Sequence, residues 1–283
     1  MEEAPDGTDF LPTMAAASRA RVEAARAALD ETELRARALD SALPPRLQLS
    51  SRRFDLIAEV KLRSPASGQL REGSEGSVLA RVAGYAEAGA AAVSVLTEPS
   101  RFDGSMRHLE LAVRALAGRI PAMRKDFLVD PYQILETRLA GAGGVLLILR
   151  MLNDVEIAAL LECALQLKLF VLLEAFDEAD IARASALVNQ YRAAGQLLVG
   201  LNCRDLHTLK VVPGRLEQLA RTLPDSVPRV AESGVATAAD AGHVAIAGYE
   251  VALVGTSLMQ ALEPLELVRS MLSAGRKERA RRS

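Results

Sequence analysis

The sequence predicts an α/β protein: an eight-stranded (β/α)8 TIM barrel preceded by an N-terminal helical extension. Three observations predict it. Short apolar runs alternate with longer amphipathic segments, eight of each. The runs are apolar nearly throughout, the pattern of parallel strands buried on both faces. Polar groups then follow the runs, as in Ile57-Ala58-Glu59-Val60-Lys61, Ala122-Met123-Arg124-Lys125-Asp126, Val171-Leu172-Leu173-Glu174, Val199-Gly200-Leu201-Asn202-Cys203-Arg204, Val230-Ala231-Glu232-Ser233-Gly234 and Val251-Ala252-Leu253-Val254 before Gly255-Thr256-Ser257. A β/α barrel collects such strand ends at one mouth. The competing arrangement is an open doubly wound sheet, but no glycine-rich nucleotide fingerprint follows the first run.

Taken in order, Met1 to Phe10 is acidic, carries Pro5 and Gly7, and lacks the basic and apolar regions of a secretory signal. Met14 to Leu43 reads as helix, with Val22, Ala25 and Leu29 at helical spacing, and Pro44-Pro45 stops it. Strands are expected at Phe54–Val60, Ala91–Leu96, Pro121–Arg124, Gly144–Leu149, Leu169–Leu173, Leu197–Leu201, Arg229–Ala231 and Glu250–Val254. Helices are expected between and after them at Ser77–Ala88, His108–Ala117, Tyr132–Ala140, Val155–Gln166, Glu178–Ala193, Gly214–Leu223, Ala238–Ile246 and Pro264–Ala274. Right-handed crossovers close eight such units into a barrel. The division that follows is a helical extension over 1–48, a barrel over 49–275 and a basic tail over 276–283, the tail read as a solvated, disordered end.

Composition bounds the function. The chain has 283 residues, half of them hydrophobic, and barrels of this kind run to roughly 250 residues as one unit. A formal charge of −2 provides no global field for nucleic acid, so any anion must be held locally and a small substrate is expected. No apolar run approaches the roughly 20 residues that span a bilayer. Cys163 and Cys203 suit neither a disulfide framework nor a metal pair, which points to a reducing compartment and a cytoplasmic enzyme.

Glu59 and Lys61 stand two apart, so at a strand end their side chains share one face, either as an ordinary ion pair or as groups of the mouth. In Arg124-Lys125 only one side chain can point inward. Lys125 is nearer the end of its run, and apolar walls with a second cation beside it are expected to lower its pKa and suit it to proton donation. Glu174 follows three apolar residues, so it is either a buried carboxylate of raised pKa or one paired to a lysine. Asn202 and Arg204 are again two apart, and a guanidinium beside an amide recognises a carboxylate, although Arg204 could instead pair with Asp205. Glu232 precedes Ser233-Gly234, and Gly255-Thr256-Ser257 ends the eighth run. Small residues with free N–H groups after the last two strands are where such barrels hold phosphate. His108, His207 and His243 are scattered, and neither Ser233 nor Cys203 has a histidine nearby. Acid/base chemistry by lysine and glutamate is expected, with no metal and no cofactor.

These residues resemble the indole-3-glycerol phosphate synthase family over nearly the whole chain, from the N-terminal helix to about Pro264. The resemblance rests on IAEVKLRSP at 57–65, FDGS at 102–105, RKDFLVDPYQI at 124–134, LLEAFD at 172–177, GLNCRDL at 200–206, VAESG at 230–234 and LVGTSLM at 253–259. It implies a small anthranilate-derived phosphorylated substrate, 1-(2-carboxyphenylamino)-1-deoxyribulose 5-phosphate, and the products indole-3-glycerol phosphate, carbon dioxide and water. By the same resemblance Lys125 is the general acid of ring closure. Glu174 and Lys61 share proton transfer in the dehydration, and Glu59 and Asn202 position them. Arg204 lies near the substrate carboxylate, Glu232 is a further active-site carboxylate, and Ser64, Ser233, Gly234, Gly255 and Thr256 grip the phosphate with Lys61. Leu62 and Ala66 depart from the family, which usually carries polar or basic residues there. Phosphoribosylanthranilate isomerase, which works with a cysteine and an aspartate, is the nearest rival, and a catalytically silent binding or regulatory barrel is the rival of a different class.

Overall fold

The computed structural model describes residues 10–49, 54–64, 68–69, 75–205, 208 and 210–282. Eight parallel strands close on themselves: β1 (Asp55–Val60), β2 (Ala92–Leu96), β3 (Ala122–Lys125), β4 (Gly144–Ile148), β5 (Phe170–Ala175), β6 (Leu197–Asn202), β7 (Arg229–Glu232) and β8 (Val251–Val254). Closure is made by β8 against β1, from Asp55 opposite Val251 to Ala58 opposite Val254. The expected barrel is therefore the fold observed.

Strand side chains alternate, and the two sets form two cores. Ile57, Met123, Leu146, Phe170, Leu172, Leu198, Val230 and Val251 fill the barrel interior. Their neighbours Leu56, Ala58, Val93, Val145, Val171, Val199, Ala231 and Ala252 pack outward beneath the helices. Full burial of such a side chain contributes about 1.5–3 kcal/mol, so the alternation fixes which residues point inward. Counting on by twos, the interior series run from Ile57 to Glu59 and Lys61, from Met123 to Lys125, from Leu172 to Glu174, from Val230 to Glu232, and from Val251 through Leu253 to Gly255. The apolar interior thus ends in polar groups at the C-terminal mouth.

Twelve helices are present among the described residues: α1 (Phe10–Ala28), α2 (Glu31–Asp40), α3 (Glu75–Glu87), α4 (Pro99–Phe102), α5 (Met106–Leu116), α6 (Pro131–Leu139), α7 (Asp154–Gln166), α8 (Glu178–Tyr191), α9 (Arg215–Leu219), α10 (Ala238–Ala247), α11 (Thr256–Gln260) and α12 (Pro264–Arg282). Several loops at the mouth enter their helices through side-chain caps that accept the first free N–H groups, namely Asp130, Asn153, Asp177 and Thr237. The segment between α2 and β1 closes the opposite end. There Leu47 joins the interior cluster with Phe170, and Gln196 Nε2 donates to the Leu47 carbonyl at 3.1 Å.

Three expectations are corrected. The helix expected from Met14 to Leu43 is two helices, because Asp30 caps a new one by accepting from the N–H groups of Thr32 and Glu33. The helix expected over Gly214–Leu223 shrinks to Arg215–Leu219. The basic end expected to be disordered continues α12 to Arg282. Arg276 binds the Phe54 carbonyl and Asp55, and Arg279 reaches Glu250 at 3.1 Å, so these cations answer carboxylates at the start of β1 and β8. Leu62, where the resemblance implied a polar or basic residue, is buried in the outer core, which accounts for an apolar residue there. Ala66 lies outside the described residues. No helix among them is long and apolar enough to cross a membrane.

Candidate active site

A cavity of about 340 Å³ opens at the C-terminal mouth. Glu59, Lys61, Lys125, Glu174, Asn202, Arg204, Glu232, Ser233, Gly234, Gly255 and Thr256 all line it. Six of the eight strand ends therefore deliver the expected groups to one place. Ser64 pairs through its backbone strand with Gly68, but its side chain lies outside the described residues.

Three ion pairs organise the floor. Lys61 Nζ is 2.7 Å from Glu59 Oε1, and Lys125 Nζ is 3.3 Å from Glu174 Oε1 and 3.9 Å from Glu232 Oε2. Asn202 Nδ2 donates to the same Glu174 oxygen at 2.9 Å, while its own Oδ1 accepts the Arg204 N–H at 3.0 Å. Glu174, expected as either a buried carboxylate or a lysine's partner, is buried and paired to Lys125. Glu59 and Glu232 are almost wholly buried; Glu59 Oε2 and both Glu232 oxygens lack a hydrogen-bond partner among the described residues.

The electrostatics reverse one expectation. Burial alone would lower the Lys125 pKa, but the charges of Glu174, Glu232 and Glu59 outweigh it and raise the pKa. The second cation invoked to lower it, Arg124, faces outward, buried against Asp126, Thr97, Glu136 and the Gln133 carbonyl. Lys125 is therefore a firmly held ammonium group. Glu232 is pushed well above the usual carboxylate range, first by burial and then by the neighbouring Glu174, with Lys125 opposing.

Close backbone approach completes one side. Ser233 and Gly234 both take positive φ, at 63° and 75°, and a Cβ at Gly234 would come within 2.9 Å of Cys203 Sγ. A Cβ at Gly255 would strike Glu59 Oε1 and lie 3.1 Å from Lys61 Nζ, so this glycine is needed for the ion pair itself. Gly200, beneath Asn202, is needed likewise, since a Cβ there would overlap Glu232 Oε1. Ser257 Oγ is buried beside the cavity without a hydrogen-bond partner among the described residues.

Sequence reasoning missed Gly200 and an apolar wall. That wall is made by Phe10, Phe102, Phe127 and Phe176. Phe127 and Phe176 lie two residues beyond Lys125 and Glu174, so the same alternation could have found them. Phe10 and Phe102 arrive from outside the strands and left no periodic signal. Cys203, the thiol a cysteine-based isomerase would need, is buried, and burial pushes its pKa up to about 11. It is a poor acid/base at neutral pH.

Barrel and site together define a β/α-barrel enzyme whose mouth pairs cationic lysines with buried carboxylates. The family model described as indole-3-glycerol phosphate synthase matches residues 11–271, and the chain belongs to that family. It is 45% identical over 219 residues to an indole-3-glycerol phosphate synthase of Micrococcus luteus, covering 77% of this chain and 78% of that one. It is 40% identical over 260 residues to that of Mycobacterium sp. (strain KMS), covering 91% of each. Among solved structures, 3-hexulose-6-phosphate synthase from Salmonella typhimurium superposes with a TM-score of 0.58 at 13% identity, covering 80% of this chain and 100% of that one. Tryptophan synthase from M. tuberculosis gives 0.54 at 16%, covering 80% and 94%. These two likenesses speak for the fold alone.

Proposed function

We propose that the protein is a ring-closing carboxy-lyase of tryptophan synthesis, converting 1-(2-carboxyphenylamino)-1-deoxyribulose 5-phosphate to indole-3-glycerol phosphate, carbon dioxide and water. The observation that carries this reading is Lys125, an ammonium group on the cavity floor between Glu174 and Glu232. Ring closure develops negative charge on the substrate carbonyl oxygen, and a fixed ammonium stabilises that charge and supplies its proton. Loss of the carboxylate as carbon dioxide restores aromaticity and needs no protein nucleophile. Dehydration then needs one group to give a proton to the departing hydroxyl and another to remove one from carbon. Glu174 and Lys61 share these roles, with Glu59 and Asn202 holding them in place and Glu232 as a further carboxyl beside Lys125.

The remaining lining suits the rest of the substrate. Ser233-Gly234 and Gly255-Thr256, with Lys61 adjacent, offer backbone N–H groups and a cation to a phosphate. Arg204 offers a planar fork to the carboxylate. The phenylalanine wall accommodates the aromatic ring. Binding that fixes both anions and folds the chain over Lys125 supplies orientation, which accounts for much of the acceleration in such reactions. The test is to incubate the purified protein with the synthetic substrate and follow indole fluorescence. Indole formation together with carbon dioxide release is expected; a protein that binds the substrate without turnover would instead be the silent barrel.

A further inference from the structure

Three of the phenylalanines that wall the mouth belong to three separate segments. Phe10 comes from α1, Phe102 from α4 and Phe127 from the turn after β3. Phe127 is the shared member, with its ring 5.8 Å from Phe10 edge-on and 6.2 Å from Phe102. Polar contacts tie α1 to the barrel, with Arg26 binding Asp130, Gln133 Nε2 donating to Ser18 Oγ and Tyr132 Oη donating to the Ala25 and Leu29 carbonyls, and these reach the segment after β3 but not the one carrying Phe102. A polar device reaching both of the other segments would fix the three relative to one another.

We propose that Arg21 is that device, a positioning residue that keys the aromatic wall together; the assignment of the wall to the substrate's ring rests on the functional reading above. Arg21 stands on α1, and its Nη2 donates to Asp126 Oδ1 at 2.7 Å while its Nη1 lies 3.7 Å from Glu98 Oε1. Both carboxylates are fully buried. Each also holds the backbone of an aromatic segment. Asp126 Oδ1 accepts the Phe127 N–H at 2.8 Å. Glu98 caps α4, accepting from Ser100 N at 2.8 Å and Arg101 N at 2.7 Å, and so aims the turn that carries Phe102. One guanidinium on α1 therefore binds the two carboxylates that orient the other two rings. Asp126 keeps Thr97 Oγ1 at 2.7 Å and Arg124 at 3.2 Å without it, so loss of Arg21 releases the cover while leaving the strand end anchored.

The test compares wild type with Arg21→Met, Arg21→Lys, Phe10→Ala and the Arg21→Met/Phe10→Ala double variant in steady-state kinetics. Arg21→Met should raise KM about 10-fold with kcat changed by less than about 2-fold, the mark of lost binding rather than lost chemistry. Arg21→Lys should fall between, because an ammonium can hold one carboxylate but not fork between two. Phe10→Ala should raise KM in the wild type and far less in Arg21→Met, since coupled residues are non-additive. An Arg21→Met protein with wild-type KM, or penalties that simply multiply, would overturn the proposal; should Arg21→Met not fold, Arg21→Lys and Arg21→Gln decide the same question. Hydrogen exchange separates this from the functional reading. Residues 10–14 and 99–102 should exchange faster together in the variant, and unchanged exchange contradicts the keying whether or not the substrate is turned over. Absence of turnover by the wild type would sink the functional reading alone.

Discussion

The ammonium of Lys125 owes its state to its neighbours: desolvation works against the charge, and three carboxylates restore it. Glu232 shows the converse, a carboxyl whose pKa is raised by burial and by Glu174. Its folded pKa lies above the unfolded value of about 4.3, so between those values the folded chain binds a proton that the unfolded chain releases, and stability falls as pH rises through that window. Glu232→Gln removes this penalty. The melting temperature of the variant should match wild type near about pH 4 and exceed it increasingly as pH rises above that; a difference flat in pH would contradict the assignment. At Arg204, replacement by lysine keeps the charge but loses the planar fork, so binding of the substrate should weaken while a substrate analogue lacking the carboxylate is nearly indifferent. Gly255→Val should lower kcat as well as raise KM, because the added side chain displaces Glu59 from Lys61 as well as crowding the anion. The identity of the charged residues was legible from their places after apolar runs. Their protonation was not, since the direction of the Lys125 shift depends on Glu174 and Glu232, which lie 49 and 107 positions away in sequence and meet it only across the barrel.

Among the elements, the strands were the most legible, because a buried parallel strand has to be apolar on both faces and so stands out as a run. Every expected strand is present, with ends shifted by one or two residues. Helix breaks were harder. The Ala- and Arg-rich stretch around Asp30 continues the helical pattern on either side, and only Asp30 followed by Glu33 hinted at a new N-terminus. The end of α12 misled for a physical reason: a basic run reads as solvated unless its carboxylate partners are known, and Asp55 and Glu250 are remote in sequence. Arg276→Ala should therefore lower the melting temperature by about 2–4 °C, corresponding to roughly 1 kcal/mol for a partly exposed pair, and leave kcat unchanged. Thermal unfolding alongside an activity assay checks both halves.

At the scale of the whole molecule, one geometric fact places the chemistry: strand parity that packs Ile57, Met123, Leu172 and Val230 inside delivers Glu59, Lys125, Glu174 and Glu232 to the mouth two residues later. α1 closes the apolar side of that mouth with Phe10 and Leu11, and the turns after β7 and β8 form the other side. The central claim is that this mouth closes an indole ring with Lys125 as the acid. It is tested most directly by comparing wild type with Lys125→Ala for indole formation from 1-(2-carboxyphenylamino)-1-deoxyribulose 5-phosphate, with substrate binding measured in parallel. The wild type should form indole-3-glycerol phosphate, and the variant should lose on the order of 10²-fold or more in kcat while its substrate affinity changes little. A variant that turns over as fast as wild type would remove Lys125 from the mechanism, and a wild type that binds this substrate but forms no indole would contradict the account as a whole.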